Sequence, residues 1–99
     1  MNGLRLGFVG AGNMATAILD GVVAQSVFSA KDIIISNPHP EKLEHPKSIG
    51  VQVTCCNCDV VEFSDIIILA VKPQMYEEVL SEIADLCKGK CIVSIAAGI

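Results

Sequence analysis

The chain has 99 residues, enough for one hydrophobic core and so for a single domain spanning 1–99. Its apolar content of 52% is almost wholly aliphatic, with aromatics at 4%, and charged residues reach only 18%; this excludes intrinsic disorder and favours parallel strands covered by helices. Seven basic against eleven acidic side chains leave a net charge of -4 with no basic cluster, which argues against a nucleic-acid surface.

In chain order, Leu4 to Val9 is a short apolar run ending on a glycine-rich turn and reads as a first strand. From Asn13 to Gln25 the spacing becomes helical, with Met14, Ala17, Ile18, Gly21 and Val22 on one face. The small residues Ala17 and Gly21 are expected to bring that helix close to the sheet. Ile33 to Ser36 is a second strand, stopped by Asn37-Pro38-His39-Pro40. Glu41 to Ser48 is expected to hold a helix kept short or bent by Pro46. Val51 to Thr54 is a weaker third strand, followed by a short helical segment over 57–63.

Ile66 to Val71 is the most apolar strand, expected at the centre of the sheet and ended by Pro73. Glu77 to Cys87 is amphipathic, with Val79, Leu80, Ile83 and Leu86 inward and Gly89 where a helix C-terminal glycine belongs. Cys91 to Ile95 is the last strand. This alternation is that of an α/β, doubly wound parallel sheet of Rossmann type, with strand order 3-2-1-4-5.

The longest unbroken aliphatic run, Ile66 to Val71, falls far short of the roughly 20 residues a spanning helix needs, so no membrane partner is expected. Met1 to Arg5 runs straight into strand pattern without a leader's features, and a cytoplasmic setting is expected. Five cysteines, an odd count, suggest reduced thiols, small and buried or half-buried. Cys55, Cys56 and Cys58 are too tightly spaced for a zinc loop, so no metal site is expected.

Gly10-Ala11-Gly12-Asn13-Met14-Ala15 follows the first strand and opens the first helix, which is the context a dinucleotide fingerprint G-x-G-x-x-A requires. Gly10 allows the tight turn, Gly12 lets a pyrophosphate approach the backbone, and Ala15 keeps helix and strand close. An acidic residue at the tip of the second strand would hold the ribose 2′-hydroxyl of NAD. This chain has Ser36-Asn37 there instead, with His39 and Lys42 just beyond, a set better suited to a 2′-phosphate and so to NADP(H). His39 and Lys42 also fit a solvated loop in which Lys42 faces Glu41 or Glu44, and Asn37-Pro38 also fits plain turn chemistry. His45 reads as an ordinary loop histidine, and Asp20 and Asp65 as peripheral. Lys72 and Pro73 end the fourth strand at the ligand-binding edge of such sheets, and Ser94 to Gly98 end the fifth there. No Ser/His/Asp set, Cys/His pair or paired carboxylates point to a catalytic acid, base or nucleophile.

Phe8 to Ala15, Leu69-Ala70-Val71-Lys72-Pro73 and Val93 to Gly98 together closely resemble the N-terminal domain of pyrroline-5-carboxylate reductases. The resemblance implies NADPH as cofactor, with NADH possible, and reduction of the C=N bond of a cyclic imino acid, 1-pyrroline-5-carboxylate, to L-proline. It implies cofactor contacts at Val9, Gly10, Ala11, Gly12, Asn13 and Met14, at Asn37, Pro38 and His39, at Ala70, Val71, Lys72 and Pro73, and at Ala96 and Ala97. It also implies one at Asn57, which otherwise reads as a helix N-cap. The family's helical C-terminal domain has no counterpart in these residues. That domain supplies much of the substrate pocket and the homo-oligomer, so the chain alone is expected to be inactive. Ile95 and Ile99 are the first candidates for surface meant for it. Two readings stay open: a non-catalytic NADP-binding fragment, and the cofactor domain of a 3-hydroxyacid dehydrogenase-like or deazaflavin-dependent NADP reductase.

Overall fold

The computed structural model describes residues 4–11, 13–71, 73–83 and 89–94, without the side chains of residues 13, 14, 73, 76 and 94. Five strands, β1 (Leu6–Val9), β2 (Ile33–Ser36), β3 (Gln52–Thr54), β4 (Ile66–Leu69) and β5 (Cys91–Ser94), form one sheet. All pairings are parallel and the order is β3-β2-β1-β4-β5, as the alternation of apolar runs predicts. β1 holds the middle position, and the most apolar strand, β4, is interior beside it, as that order requires. Chain connection explains this: the crossovers run outward from β1 to β2 and β3, then return to its other side for β4 and β5. The carboxyl end of β1 is therefore the point where the winding reverses.

Among the described residues four α-helices cover the sheet: α1 (Asn13–Ala24), α2 (Glu44–Ser48), α3 (Asn57–Phe63) and α4 (Tyr76–Ile83). One core packs Leu6, Phe8, Ile33 and Ile35 against Ala15 and Leu19 of α1. The other packs Val9, Ile34, Ile67 and Leu69 against Val60 and Val61 of α3 and Val79 and Ile83 of α4. Among the described residues no helix is long and apolar enough to cross a membrane.

The face α1 buries is rotated from the expected one. Ala15 and Leu19 are fully buried and Ile18 and Val22 half-buried, while Ala17 and Gly21 are exposed. Both sets obey three-and-four spacing, but a turn of about one residue puts the large Leu19 on the sheet, where burial yields more than at glycine. Close approach of α1 rests on Ala15. On α4, Val79 and Ile83 point inward as expected, but Leu80 is 38% exposed, since one residue beyond Val79 lies about 100° round the helix. Leu86 and Cys87 lie outside the described residues.

Pro46 acts as expected on the segment before β3. A 3-10 turn, Pro40–Leu43, precedes the short α2, and Pro46 is buried in the first turn of α2, where no N–H is required of it. His45 is not a loop residue: it lies in α2, and its Nε2 is 2.7 Å from Asp20 Oδ1 of α1, so the pair joins the two helices. Asp65 is exposed but also tied, accepting the Arg5 N–H at 3.0 Å.

Gly7 of β1 packs against α3, and a Cβ there would land on Ser64 Oγ and Val60 Cγ1. Ser64 is fully buried, and its Oγ has no hydrogen-bond partner among the described residues. At the far flank β5 is thinly covered: Cys91, Ile92 and Val93 are exposed, the last two by 38% and 42%. Ile95 and Ile99 lie outside the described residues. Among the described residues the cysteines differ from expectation, since Cys55, Cys56 and Cys91 are exposed free thiols and only Cys58 is half-buried.

Candidate functional site

The carboxyl ends of four strands are laced together by main-chain hydrogen bonds. Gly10 N–H donates to Ser36 O at 2.9 Å, Ala70 N–H to Val9 O at 2.8 Å, and Asn37 N–H to Thr54 O at 3.2 Å. Gly10 reaches its carbonyl with φ +103°, a conformation that favours glycine, and a Cβ there would stand 2.7 Å from Ala70 O. The turn after β1 is thus pinned between β2 and the end of β4.

Above this edge lies an open cavity of about 480 Å³. It brings together Val9, Gly10 and Ala11 from the first turn, Asn37, Pro38 and His39 from the second, and Ala70 and Val71 from the fourth, with Asn57 from α3. Asn13 and Met14 open α1, and Pro73 opens the 3-10 turn Pro73–Met75. Gly12, Lys72, Ala96 and Ala97 lie outside the described residues.

Lys42 lines the cavity and is exposed. The residue facing Glu41 is His39, whose Nδ1 is 3.8 Å from Glu41 Oε1 across an exposed pair. Asn37 Oδ1 accepts the His39 N–H at 2.9 Å, closing a local turn, and Nδ2 is the donor end of the same amide.

Asn57 does not cap α3. Cys56 holds the N-cap position without a side-chain cap bond, and Asn57 is the first helical residue. Its Oδ1 accepts from Ser36 Oγ at 2.7 Å and its Nδ2 donates to Glu82 Oε1 at 2.8 Å. The turn beneath it is closed by Thr54 Oγ1, which donates to Asp59 Oδ2 at 2.8 Å and accepts the Cys56 N–H at 3.1 Å. Burial, then the neighbouring Cys56, then Glu82 and Glu62 push the Cys58 thiol above its ordinary range.

Five further residues share the cavity that the sequence does not mark as site residues: Cys55, Met75, Glu78, Val79 and Glu82. Glu78 and Glu82 stand four apart on α4, a spacing that marks one helix face, but nothing local says which wall that face meets. Ser36 lines it as well, fully buried at the tip of β2.

Residues 5–98 match the family model described as NADP oxidoreductase coenzyme F420-dependent. The chain is 44% identical over 97 residues to pyrroline-5-carboxylate reductase 3 of Danio rerio, covering 97% of this chain and 34% of that protein. The structure of a pyrroline-5-carboxylate reductase from Coxiella burnetii superposes with a TM-score of 0.91 at 31% identity, over 98% of this chain and 37% of that one. The Plasmodium falciparum pyrroline carboxylate reductase with NADP bound superposes with a TM-score of 0.85 at 26% identity, over 100% of this chain and 36% of that one. The chain spans about a third of the length of the curated relatives it matches.

Proposed function

The chain belongs to the family described as NADP oxidoreductase coenzyme F420-dependent, and from that premise we propose that it is the dinucleotide-binding part of a pyrroline-5-carboxylate reductase, which reduces 1-pyrroline-5-carboxylate to L-proline. The observation that carries the reading is the cavity at the point where the winding of the sheet reverses, walled by the glycine turn and by Asn37, His39 and Lys42. Its volume of about 480 Å³ suits part of a dinucleotide. Its polar groups suit one too, with amide hydrogens and a cation on one wall and carboxylates on the other.

When bound, the nicotinamide cofactor supplies the hydride; this chain's residues contribute binding and orientation. Asn37 Nδ2, Lys42 and His39 are the groups for a 2′-phosphate, which makes NADPH the preferred cofactor over NADH. Val9, Gly10 and Ala11 flank the path of the pyrophosphate at the carboxyl end of β1; Gly12, Asn13 and Met14 are assigned to the same contact from the fingerprint motif alone. Pro38, Asn57, Ala70 and Val71 line the adenosine side. Lys72, Pro73, Ala96 and Ala97 are assigned as further cofactor contacts from the sequence motifs alone. No side chain of this chain is assigned as catalytic acid or base. The substrate pocket and a homo-oligomeric assembly in the cytoplasm are assigned to the two thirds of the relatives' length that this chain does not span.

Fluorescence titration of the 99-residue chain tests the reading. Binding of NADPH, tighter than NADH, is expected without turnover of pyrroline-5-carboxylate. Absence of binding by either dinucleotide overturns it. The family description favours one second reading, an NADP oxidoreductase working with coenzyme F420. Assaying a protein of the relatives' full length with pyrroline-5-carboxylate and with reduced F420 separates the two.

A further inference from the structure

A bridge of three side chains joins elements far apart in sequence along the cavity wall. Ser36 Oγ, on β2, donates to Asn57 Oδ1 at 2.7 Å, and Asn57 Nδ2, on α3, donates to Glu82 Oε1 at 2.8 Å on α4. All three residues line the cavity.

The direction of the bridge is decided at one end. A hydroxyl can donate to an amide oxygen or accept from an amide nitrogen equally well, so Ser36 does not choose how the Asn57 amide lies. An ionised carboxylate can only accept. Glu82 therefore draws Nδ2 toward α4, which turns Oδ1 toward Ser36 and commits the single Ser36 hydroxyl hydrogen inward. Ser36, fully buried, serves as the anchor behind the amide, and the group the amide keeps for the cavity is a donor, the second N–H of Asn57. Glu82 itself is exposed, and the packing of α4 is carried by its neighbours Val79 and Ile83. Its carboxylate has no part in the core.

We propose that Glu82 is a positioning residue for the bound dinucleotide: it locks the Asn57 amide in the orientation that keeps an N–H donor, not the oxygen, for the cofactor. The inference rests on the dinucleotide reading of the cavity given above. Glu82 and Asn57 stand apart from the groups proposed for the 2′-phosphate at Asn37, His39 and Lys42, so the effect falls on NADPH and NADH alike.

The test uses the ¹⁵N-labelled 99-residue chain with E82A and E82Q. In E82A the two Asn57 side-chain amide protons move toward averaged shifts, and both dinucleotides bind roughly three- to tenfold more weakly, as for loss of one exposed charge-assisted bond. E82Q keeps an acceptor for Nδ2 and restores affinity to within about twofold of the parent. Circular dichroism of all three is expected to coincide, since Glu82 is exposed. A parent that binds NADPH while E82A binds it equally well overturns the proposal alone. So does an E82Q as weak as E82A, which would make the charge, not the orientation, the cause, or an Asn57 amide pair unmoved in E82A. A parent that binds neither dinucleotide overturns the reading of the cavity and takes this proposal with it.

Discussion

Replacing Gly10 by alanine puts two independent costs on one residue. The backbone there has φ +103°, and holding an L-residue in so sparsely populated a conformation costs about 1–3 kcal/mol. The added Cβ would also stand 2.7 Å from Ala70 O and 3.0 Å from Ala70 C, and forcing such a contact costs about 1–3 kcal/mol more. Both neighbours are main chain at the end of β4, where Ala70 N–H is bonded to Val9 O at 2.8 Å, so no side chain can swing away to relieve them. The sum is about 2–6 kcal/mol against a total stability of about 5–15 kcal/mol for a domain of this size. Even the lower bound lowers Tm by roughly 8–16 °C at this length. Thermal unfolding followed by circular dichroism reads this directly, with urea unfolding as a check on two-state behaviour. A Gly10→Ala variant that unfolds within 2 °C of the parent, allowing about 4–8 °C per kcal/mol, refutes the reasoning. The turn after β1 would then be free to relax in a way the lacing of the strand ends does not allow.

Three other outcomes follow from the same structure. Asn37→Asp keeps an oxygen for the His39 N–H and so keeps the turn, but it sets a negative charge where a 2′-phosphate is proposed; the NADPH-to-NADH affinity ratio should fall about tenfold, and an unchanged ratio in paired titrations moves the phosphate elsewhere. Ser64→Ala removes a buried hydroxyl that has no partner among the described residues, so stability in urea should stay level or rise by up to about 1 kcal/mol; a clear loss would mean that the hydroxyl is bonded after all. The Cys58 thiol is held protonated further up the pH scale than an ordinary thiol, and at neutral pH it should be alkylated after the exposed Cys55, Cys56 and Cys91, as timed by peptide mass spectrometry; Cys58 reacting first contradicts the direction of its shift.

Much of the architecture was legible because it is written locally. Ile33 to Ser36 appears as a strand with the expected bounds, and the glycine turn after Val9 marks where the winding reverses. Helix rotation was not legible. On α1 two faces satisfy the same spacing through Ile18 and Val22, and only the sheet beneath decides that Leu19 is buried and Gly21 is not. At the site, residues on turns beside the motif were found from sequence, while Glu82 was not. Its partner Asn57 lies 25 residues away, and a hydrogen bond across that separation has no periodic trace.

The lacing of Gly10 to Ser36, Ala70 to Val9 and Asn37 to Thr54 is made entirely of backbone. Two of the three groups proposed to tell one cofactor from another, His39 and Lys42, are exposed side chains outside that lacing. Their exchange leaves every one of those bonds in place. Cofactor preference in this chain can therefore drift by single substitutions without first destabilising the platform, so selection can act on preference and on foldability separately.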